Sequence, residues 1–364
     1  MEPKYIKYIT LIIAPIISLV LMLVLTPFFR KLAFKLNFVD KPNYRKSHFT
    51  SIPLIGGFMV FLCSTIALTI AKQYDSNFQQ ISPIIIGSFI LLVMGIIDDK
   101  VNLRASLKLI IQLGVAVFVY FSGIKIESLF GILGVYEIPD FLKFTLTVLI
   151  ITGTVNAFNL SDGIDGLAGG LAIIGFTSFS IIALIHKQYL FASLYLTIIG
   201  ALIGFLNFNL SKKRKIFMGD AGSLFLGYIL VVSGIMLIQE SNKTSDITRT
   251  LSTVIGVLIL PVIDSIRVYR QRIQKGFSPF RADKTHLHHL LLGLKLEHKK
   301  ATLVIVITAV TLLLISLFAG TIFSNTATII LLLFLFSIIS RFLSMNNEIN
   351  EWRKKIHELE NDNR

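Results

Sequence analysis

The chain has 364 residues, 54 % of them hydrophobic and only 15 % charged, and its mean hydropathy is +0.75. A soluble domain needs far less apolar material, so the composition excludes a water-soluble protein and points to an integral membrane protein. The net charge of +14, from 35 Lys and Arg against 21 Asp and Glu, raises nucleic-acid binding as a reading, but the placement of the cations favours a membrane explanation.

A membrane-crossing helix needs roughly 20 mainly apolar residues, and about eleven such runs follow one another along the chain. They fall near 8–28, 52–71, 81–97, 107–123, 141–157, 167–185, 189–209, 222–239, 250–268, 301–319 and 322–343, which predicts an all-α, polytopic fold. The first run has no small-residue cleavage site before its basic flank and is expected to remain as a helix. The single cysteine, Cys63, lies within the second run, which excludes an intrachain disulfide and reads as packing. Alternate loops fall on opposite sides of the membrane. One set (29–51, 98–106, 158–166, 210–221, 269–300 and 344–364) carries 24 basic residues and the other 7. The positive-inside rule therefore places the N-terminus outside and the basic loops and C-terminus in the cytoplasm. Residues 1–343 read as one transmembrane domain and 344–364 as a charged tail. In that tail Ile349, Trp352, Ile356 and Leu359 fall at helical spacing, as in a short amphipathic helix at the membrane surface or between subunits.

The polar motifs sit between these runs. In "DKPNYRKSHFTSIPLIGG", residues 40–57, membrane anchoring explains Lys41, Arg45 and Lys46 but not His48 or the pair Gly56–Gly57. The third run ends in "MGIIDDK" with Asp98 and Asp99. The fifth passes into "NAFNLSDGIDGLAGG", residues 156–170. A helix through 162 would place Asn156 and Asn159 on one face, with Asp162 a turn later, where they could converge on one ligand. Gly163 and Gly166 would then break the helix and leave Asp165 in the turn. "IFMGDAGS" opens the eighth run with Asp220. Singly, each carboxylate reads as well as a cap or an interfacial anchor. Three such motifs at one membrane level suggest a hard cation, which takes carboxylates together with substrate phosphates. Lys108, Lys215, Arg267 and Arg270 are the cations suited to those phosphates. The spacings of a calcium loop and of a Walker loop are absent.

The largest loop carries "DSIRVYRQRIQKGFSPFRADKTHLHHLLLG". Asp264 and Arg267, three residues apart, suit a structural ion pair as well as a catalytic role. His286, His288 and His289 lack the cysteines or acids of a zinc set. Beside Arg281 and Lys284 they read as donors to phosphate or sugar oxygens. A helix over 285–292 would set His286 and His289 on one face and turn His288 away. A secondary transporter is the competing class, but transporters place their polar groups near the bilayer midplane, whereas these acids share one cytoplasmic level.

Taken in order, R-K-S-H…P-x-x-G-G, Asp98–Asp99, N-A-F-N-L-S-D-G-I-D-G-L-A, F-M-G-D-A-G-S and H-x-H-H cover nearly the whole chain. The set resembles the polyprenyl-phosphate N-acetylhexosamine-1-phosphate transferases (glycosyltransferase family 4, MraY-like). "SPFRADKTHLHHLL" is similar to the UDP-GlcNAc branch, of WecA/TagO type. Lys-Lys-Arg-Lys at 212–215 departs from the Pro-Ala often found there, which puts only the local loop shape in question.

The resemblance implies transfer of GlcNAc 1-phosphate from UDP-GlcNAc to undecaprenyl phosphate, giving the lipid-diphosphate-sugar and UMP. UDP-MurNAc-pentapeptide or another UDP-N-acetylhexosamine is the alternative donor. It also implies magnesium, with manganese as a substitute, the bacterial plasma membrane with a cytoplasmic site, a homodimer and no nucleic acid. By position, Asp98 and Asp99 are the essential acidic pair, and Asp220 and Asn159 the metal ligands. Asp162, Gly163, Asp165 and Phe217 would surround the nucleotide, with Phe217 stacking on uracil. Lys108 and Arg267 would meet phosphates, His286, His288 and His289 would line the sugar side, and Lys46 and His48 would belong to a substrate loop. A phosphate monoester has a second pKa of about 6, so the lipid acceptor needs little help from a base. Direct attack is therefore expected, with Asp98 and Asp99 acting by charge and position. Proton removal by Asp98 and a covalent aspartyl-phosphate stand as the alternatives.

Overall fold

The computed structural model describes residues 3–41, 50–71, 78–242, 246–278 and 285–362. Lys46, His48, Arg281 and Lys284 lie outside the described residues. In chain order the helices are α1 (Pro3–Lys35), α2 (Gly56–Ile70), α3 (Phe78–Val101), α4 (Ala105–Phe121), α5 (Asp140–Ser161), α6 (Leu167–Ile185), α7 (Tyr189–Asn209), α8 (Gly219–Ser241), α9 (Ile247–Gln274), α10 (Leu287–Gly293), α11 (His298–Ile322) and α12 (Asn325–Asp362). Among the described residues nine helices are long and apolar enough to cross a membrane, while α2 and α4, at 15 and 17 residues, are apolar but shorter. A helix occupies every one of the expected runs, although the second run opens with the strand residues Ile52–Pro53 and its helix begins at Gly56. The short α10, in the histidine loop, is an additional helix.

Among the described residues two small antiparallel strand pairs qualify the all-helical expectation, the second of them a hairpin. Strand β1 (Val39–Asp40) pairs with β2 (Ile52–Pro53), and β3 (Ser128–Ile132) with β4 (Val135–Glu137). This hairpin joins α4 to α5 at the end of the bundle opposite the aspartates. It is tied to the start of α12 by the Asn325 amide, which donates to the Phe130 carbonyl at 2.6 Å, and by the Leu133 N–H, which donates to Thr326 Oγ1 at 2.7 Å. Helix α12 runs on past 343 as one helix to Asp362.

Helix α8 forms the axis of the bundle. It is apolar on every face, which in a bundle means burial on every face. Its most hydrophobic window is 89 % buried, against 28 % for the peripheral α1 and α12. Between apolar helices in lipid, close backbone packing is the main source of attraction, and small residues permit it. Here a side chain at Gly57 would overlap Gly222, and one at Gly95 would overlap Ala221. The otherwise unexplained Gly56–Gly57 pair thus seats α2 on the start of α8, where the two N–H groups donate to the Phe217 and Met218 carbonyls at 2.8 and 2.9 Å. The buried Tyr228 hydroxyl donates to the Pro83 carbonyl at 2.7 Å, so its burial leaves no polar group unpaired.

Candidate active site

The close packing of α3 on α8 brings the three acidic motifs together. Asp98, Asp99, Asp162, Asp165 and Asp220 all line one cavity of 1790 Å³ at one end of the bundle. The adjacent Asp98 and Asp99 point to different partners. The Oδ1 of Asp98 accepts from the Leu103 N–H at 2.8 Å, and its Oδ2 lies 2.6 Å from Lys108 Nζ. The same ammonium stands 3.5 Å from Asp220, so it bridges two carboxylates. Asp99 instead accepts from the first amides of α8, those of Asp220 at 2.9 Å and Ala221 at 3.3 Å. Carboxylates are stabilised at helix N-termini by these free donors and by the helix dipole. Gly219 makes the turn possible, with φ at +73° in the left-handed region.

The opening of the fifth-to-sixth junction differs from the expected single face. Asn159 donates to Asp220 Oδ1 at 3.1 Å and to Ser223 at 2.8 Å. Asn156 does not converge with it. Its amide donates to Gln112 and to the Thr152 carbonyl, inside the bundle. Helix α5 ends at Ser161, one residue short of the helix expected through 162, and Asp162 turns into the cavity. Burial, and then the negative charges of Asp220 and Asp165, push the Asp162 carboxyl up to about 7. Burial acts on Asp165 in the same direction, but His298 and Lys215 outweigh it and hold that carboxyl below its ordinary value. Lys215 is 2.6 Å and His298 3.3 Å from Asp165. Lys215 also lies over the Phe217 ring, 5.4 Å from its centre, and Phe217 lines the cavity.

The histidines separate in another way than expected. His286 precedes α10, buried, with Nδ1 2.9 Å from Asp264. Asp264 also holds Arg267 at 2.7 Å and accepts the Leu287 N–H, so it caps α10 and fixes the loop. This supports the structural reading of the Asp264–Arg267 pair, although Arg267 also lines the cavity. His288 does not point away. It is buried against Gly163, where a side chain would overlap its Nε2. Burial first, and then the neighbouring His289 and His286, lower its pKa to about 3, so it is a neutral imidazole. Of the three, only His289 lines the cavity, and Arg270 is exposed and does not reach it.

Two contributors were missed in the sequence. His298 reads there as one more polar residue beside Lys299 and Lys300, and only the fold sets it against Asp165. Asn209 lies within an apolar run, yet it accepts the Gly166 N–H at 2.6 Å and donates to the Ile216 carbonyl at 2.9 Å, joining two walls of the site.

Among the described residues no three His, Cys, Asp or Glu side chains converge on one point. Asp220 offers a carboxylate, and Asn159 beside it would add its amide oxygen once its NH2 group, which here faces Asp220, turns away, while Asp162, raised by burial and then by Asp220 and Asp165, stands close to both of those carboxylates. Both features fit a hard divalent ion, which is commonly held by one or two carboxylates while substrate phosphates and water complete its shell.

Residues 81–238 match the model of Glycosyl transferase family 4. The chain is similar to the probable undecaprenyl-phosphate N-acetylglucosaminyl 1-phosphate transferase of Bacillus subtilis (strain 168), 34 % identical over 348 residues, or 94 % of each chain. It is similar to the undecaprenyl-phosphate alpha-N-acetylglucosaminyl 1-phosphate transferase of Escherichia coli (strain K12), 32 % identical over 84 % of this chain and 83 % of that one. The Yersinia pestis protein of the same description is 30 % identical over 79 % of this chain and 78 % of its own. With relatives matched along most of both chains and the family's acidic motifs gathered in one cavity, the chain belongs to glycosyl transferase family 4.

Proposed function

We propose that this chain transfers GlcNAc 1-phosphate from UDP-GlcNAc to undecaprenyl phosphate at the cytoplasmic face of a bacterial plasma membrane, releasing UMP. The observation that carries this reading is the gathering of the five motif aspartates in one cavity at one end of a membrane-spanning bundle, two of them paired with Lys108 and Lys215. A transporter would be expected to hold such groups near mid-bilayer.

Asp220 and Asn159 would hold magnesium, or manganese in its place. The ion, when bound, neutralises the donor diphosphate and polarises its phosphorus. The chain's own residues orient the reactants around that charge. Lys108, between Asp98 and Asp220, is placed to exchange a carboxylate for a phosphate oxygen. Asp165, locked by Lys215 and His298, and the adjacent Phe217 form the wall suited to a nucleoside. His289, on α10, and Arg267, on α9, face the cavity on the side assigned to the sugar phosphate.

Both oxygens of Asp98 are engaged by Leu103 and Lys108, and both oxygens of Asp99 by α8 amides. That supports charge balance and positioning for the pair over proton removal. The acceptor monoester, with a second pKa of about 6, is already largely dianionic at neutral pH, so it attacks the sugar-bearing phosphorus and UMP leaves directly.

The test is release of UMP by the purified chain, with undecaprenyl phosphate and a panel of UDP-GlcNAc, UDP-GalNAc and UDP-MurNAc-pentapeptide, with and without magnesium. Magnesium-dependent release, fastest with UDP-GlcNAc, is expected. Faster turnover of another donor would move the assignment to that sugar, and no release from any donor would overturn it.

A further inference from the structure

Beyond the cavity the molecule leaves one strongly charged surface without a task. Residues 27–36, at the end of α1, and 210–219, between α7 and α8, hold seven Lys and Arg and no Asp or Glu. None of the seven lines the cavity. About 20 helical residues cross the hydrocarbon core. Counted from Thr10, the first residue of the membrane-crossing stretch of α1, that crossing ends near Arg30, and counted from Tyr189 on α7 it ends near Asn209. The two basic segments therefore leave the bilayer at one level, that of the lipid headgroups. They do so on the side of the cavity, whose wall includes Asn209 and Phe217.

The segments form one surface. Arg30 donates from Nε to the Lys215 carbonyl at 3.4 Å and from Nη2 to the Lys213 carbonyl at 3.3 Å. Within the loop, Ser211 Oγ accepts the Arg214 N–H at 3.1 Å, and the Phe217 N–H donates to the Pro53 carbonyl at 2.9 Å. The Arg30 guanidinium lies over Phe34, 5.2 Å from the ring centre, and that of Arg214 over Phe208 at 5.6 Å. Both cations thus rest on aromatic rings at the edge of the bilayer. Lys215 is engaged by Asp165 at 2.6 Å. Lys31, Lys35, Lys212, Lys213 and Arg214 are exposed, and among the described residues none of these five has a carboxylate partner. The positive-inside rule explains the sign of such loops. It does not require a loop fastened by Arg30 and Pro53 so that three consecutive cations stand free beside two more on α1.

We propose that this surface is a binding site for the headgroups of anionic phospholipids, and that an occupied site steadies the loop from which Lys215 holds Asp165. Lys and Arg clustered at a helix end attract anionic lipid, each cation contributing about fivefold. Depth selects lipid over a soluble polyanion, because the cations begin within one turn of the membrane edge. The coupling follows from the chain itself. Arg214 adjoins Lys215, and Phe217 follows two residues later, so headgroups that hold 212–214 restrain the wall assigned to the nucleoside. That second step rests on the proposed function, whereas the lipid site does not.

The test uses the full-length chain in nanodiscs of phosphatidylcholine alone or with an equal part of phosphatidylglycerol, each lipid supplied in turn with a photoactivatable headgroup. Labelling of 27–36 and 210–219 is expected to be about fivefold stronger with the phosphatidylglycerol probe. Lys212→Gln with Lys213→Gln should abolish most of that preference. Lys299→Gln with Lys300→Gln, exposed cations at the start of α11, should leave it unchanged. Phosphatidylglycerol should also lower KM for UDP-GlcNAc severalfold at unchanged kcat, and should not do so when Lys212 and Lys213 are replaced. Equal labelling by the two probes, or equal loss in both variant pairs, would overturn the site. Labelling that disappears when RNA is added at physiological salt would assign the surface to nucleic acid instead. Preferential labelling with an unchanged KM would overturn the coupling alone, and failure to release UMP would remove the proposed function without touching the labelling result.

Discussion

At the scale of single residues, the site divides roles that the sequence motif shows only as a group. Asp98 and Asp99 are neighbours of the same chemistry, and nothing in their spacing says that one meets Lys108 while the other caps α8. That division depends on the angle at which α3 meets α8. The motif from 156 to 170 is legible as a polar turn, but Asn156 and Asn159 belong to different networks because Gln112 and Ser223 lie on different neighbouring helices. Asn159→Ala is expected to raise the magnesium concentration needed for half-maximal activity about tenfold, since a hydrogen bond to a charged group is worth about 1.5–3 kcal/mol. Asp165→Ala should instead raise KM for UDP-GlcNAc. Identical kinetic defects would remove the division between them. Asp162 supplies a pH signature. Its folded carboxyl titrates at about 7, while in an unfolded chain it would titrate near the ordinary value of about 3.9. Between these values the folded protein keeps a proton that the unfolded chain has released, so stability falls as pH rises from about 4 to about 7 and then levels. Melting of the magnesium-free protein between pH 5 and 8 should show that fall, and Asp162→Asn should flatten it.

At the scale of elements, the hydrophobic runs were readable because lipid and helix length set their dimensions. The terminus of α12 was less so, since its charged residues read as a tail although they continue the same helix. Similarly, a helical histidine loop is legible, but its phase is not. Asp264 draws His286 to the start of α10, and that turns His288 inward against Gly163. The glycine contacts of α8 make a direct prediction. Gly95→Val would force α3 away from Ala221 and pull Asp99 from its amides. Overpacking of this kind costs about 1–3 kcal/mol, so a lower melting temperature and a kcat reduced about tenfold are expected. Gly114→Val serves as the control, because an added side chain there begins in open space. Equal behaviour of the two variants would show that this packing does not position the carboxylates.

At the scale of the whole molecule, the basic loops and the cavity fall at one end and the β3–β4 hairpin at the other, so a single experiment reports on orientation. Leu133→Cys, at the exposed tip of that hairpin, should react with a membrane-impermeant maleimide in intact cells, whereas Lys354→Cys should react only after lysis. The reverse pattern would invert the protein in its membrane. The capping of α8 by Asp99 bears on how the cavity attracts its donor. Helix N-termini commonly hold phosphates with backbone amides, but here the amides of Asp220 and Ala221 already serve a carboxylate. Attraction of an anionic nucleotide therefore falls to side chains at the cavity wall, Lys275, Lys295 and Arg341 among them. Mobile ions screen such exposed charges over about 8 Å at physiological ionic strength. Donor capture by this protein is thus tied to the salt content of the solution that the cavity faces.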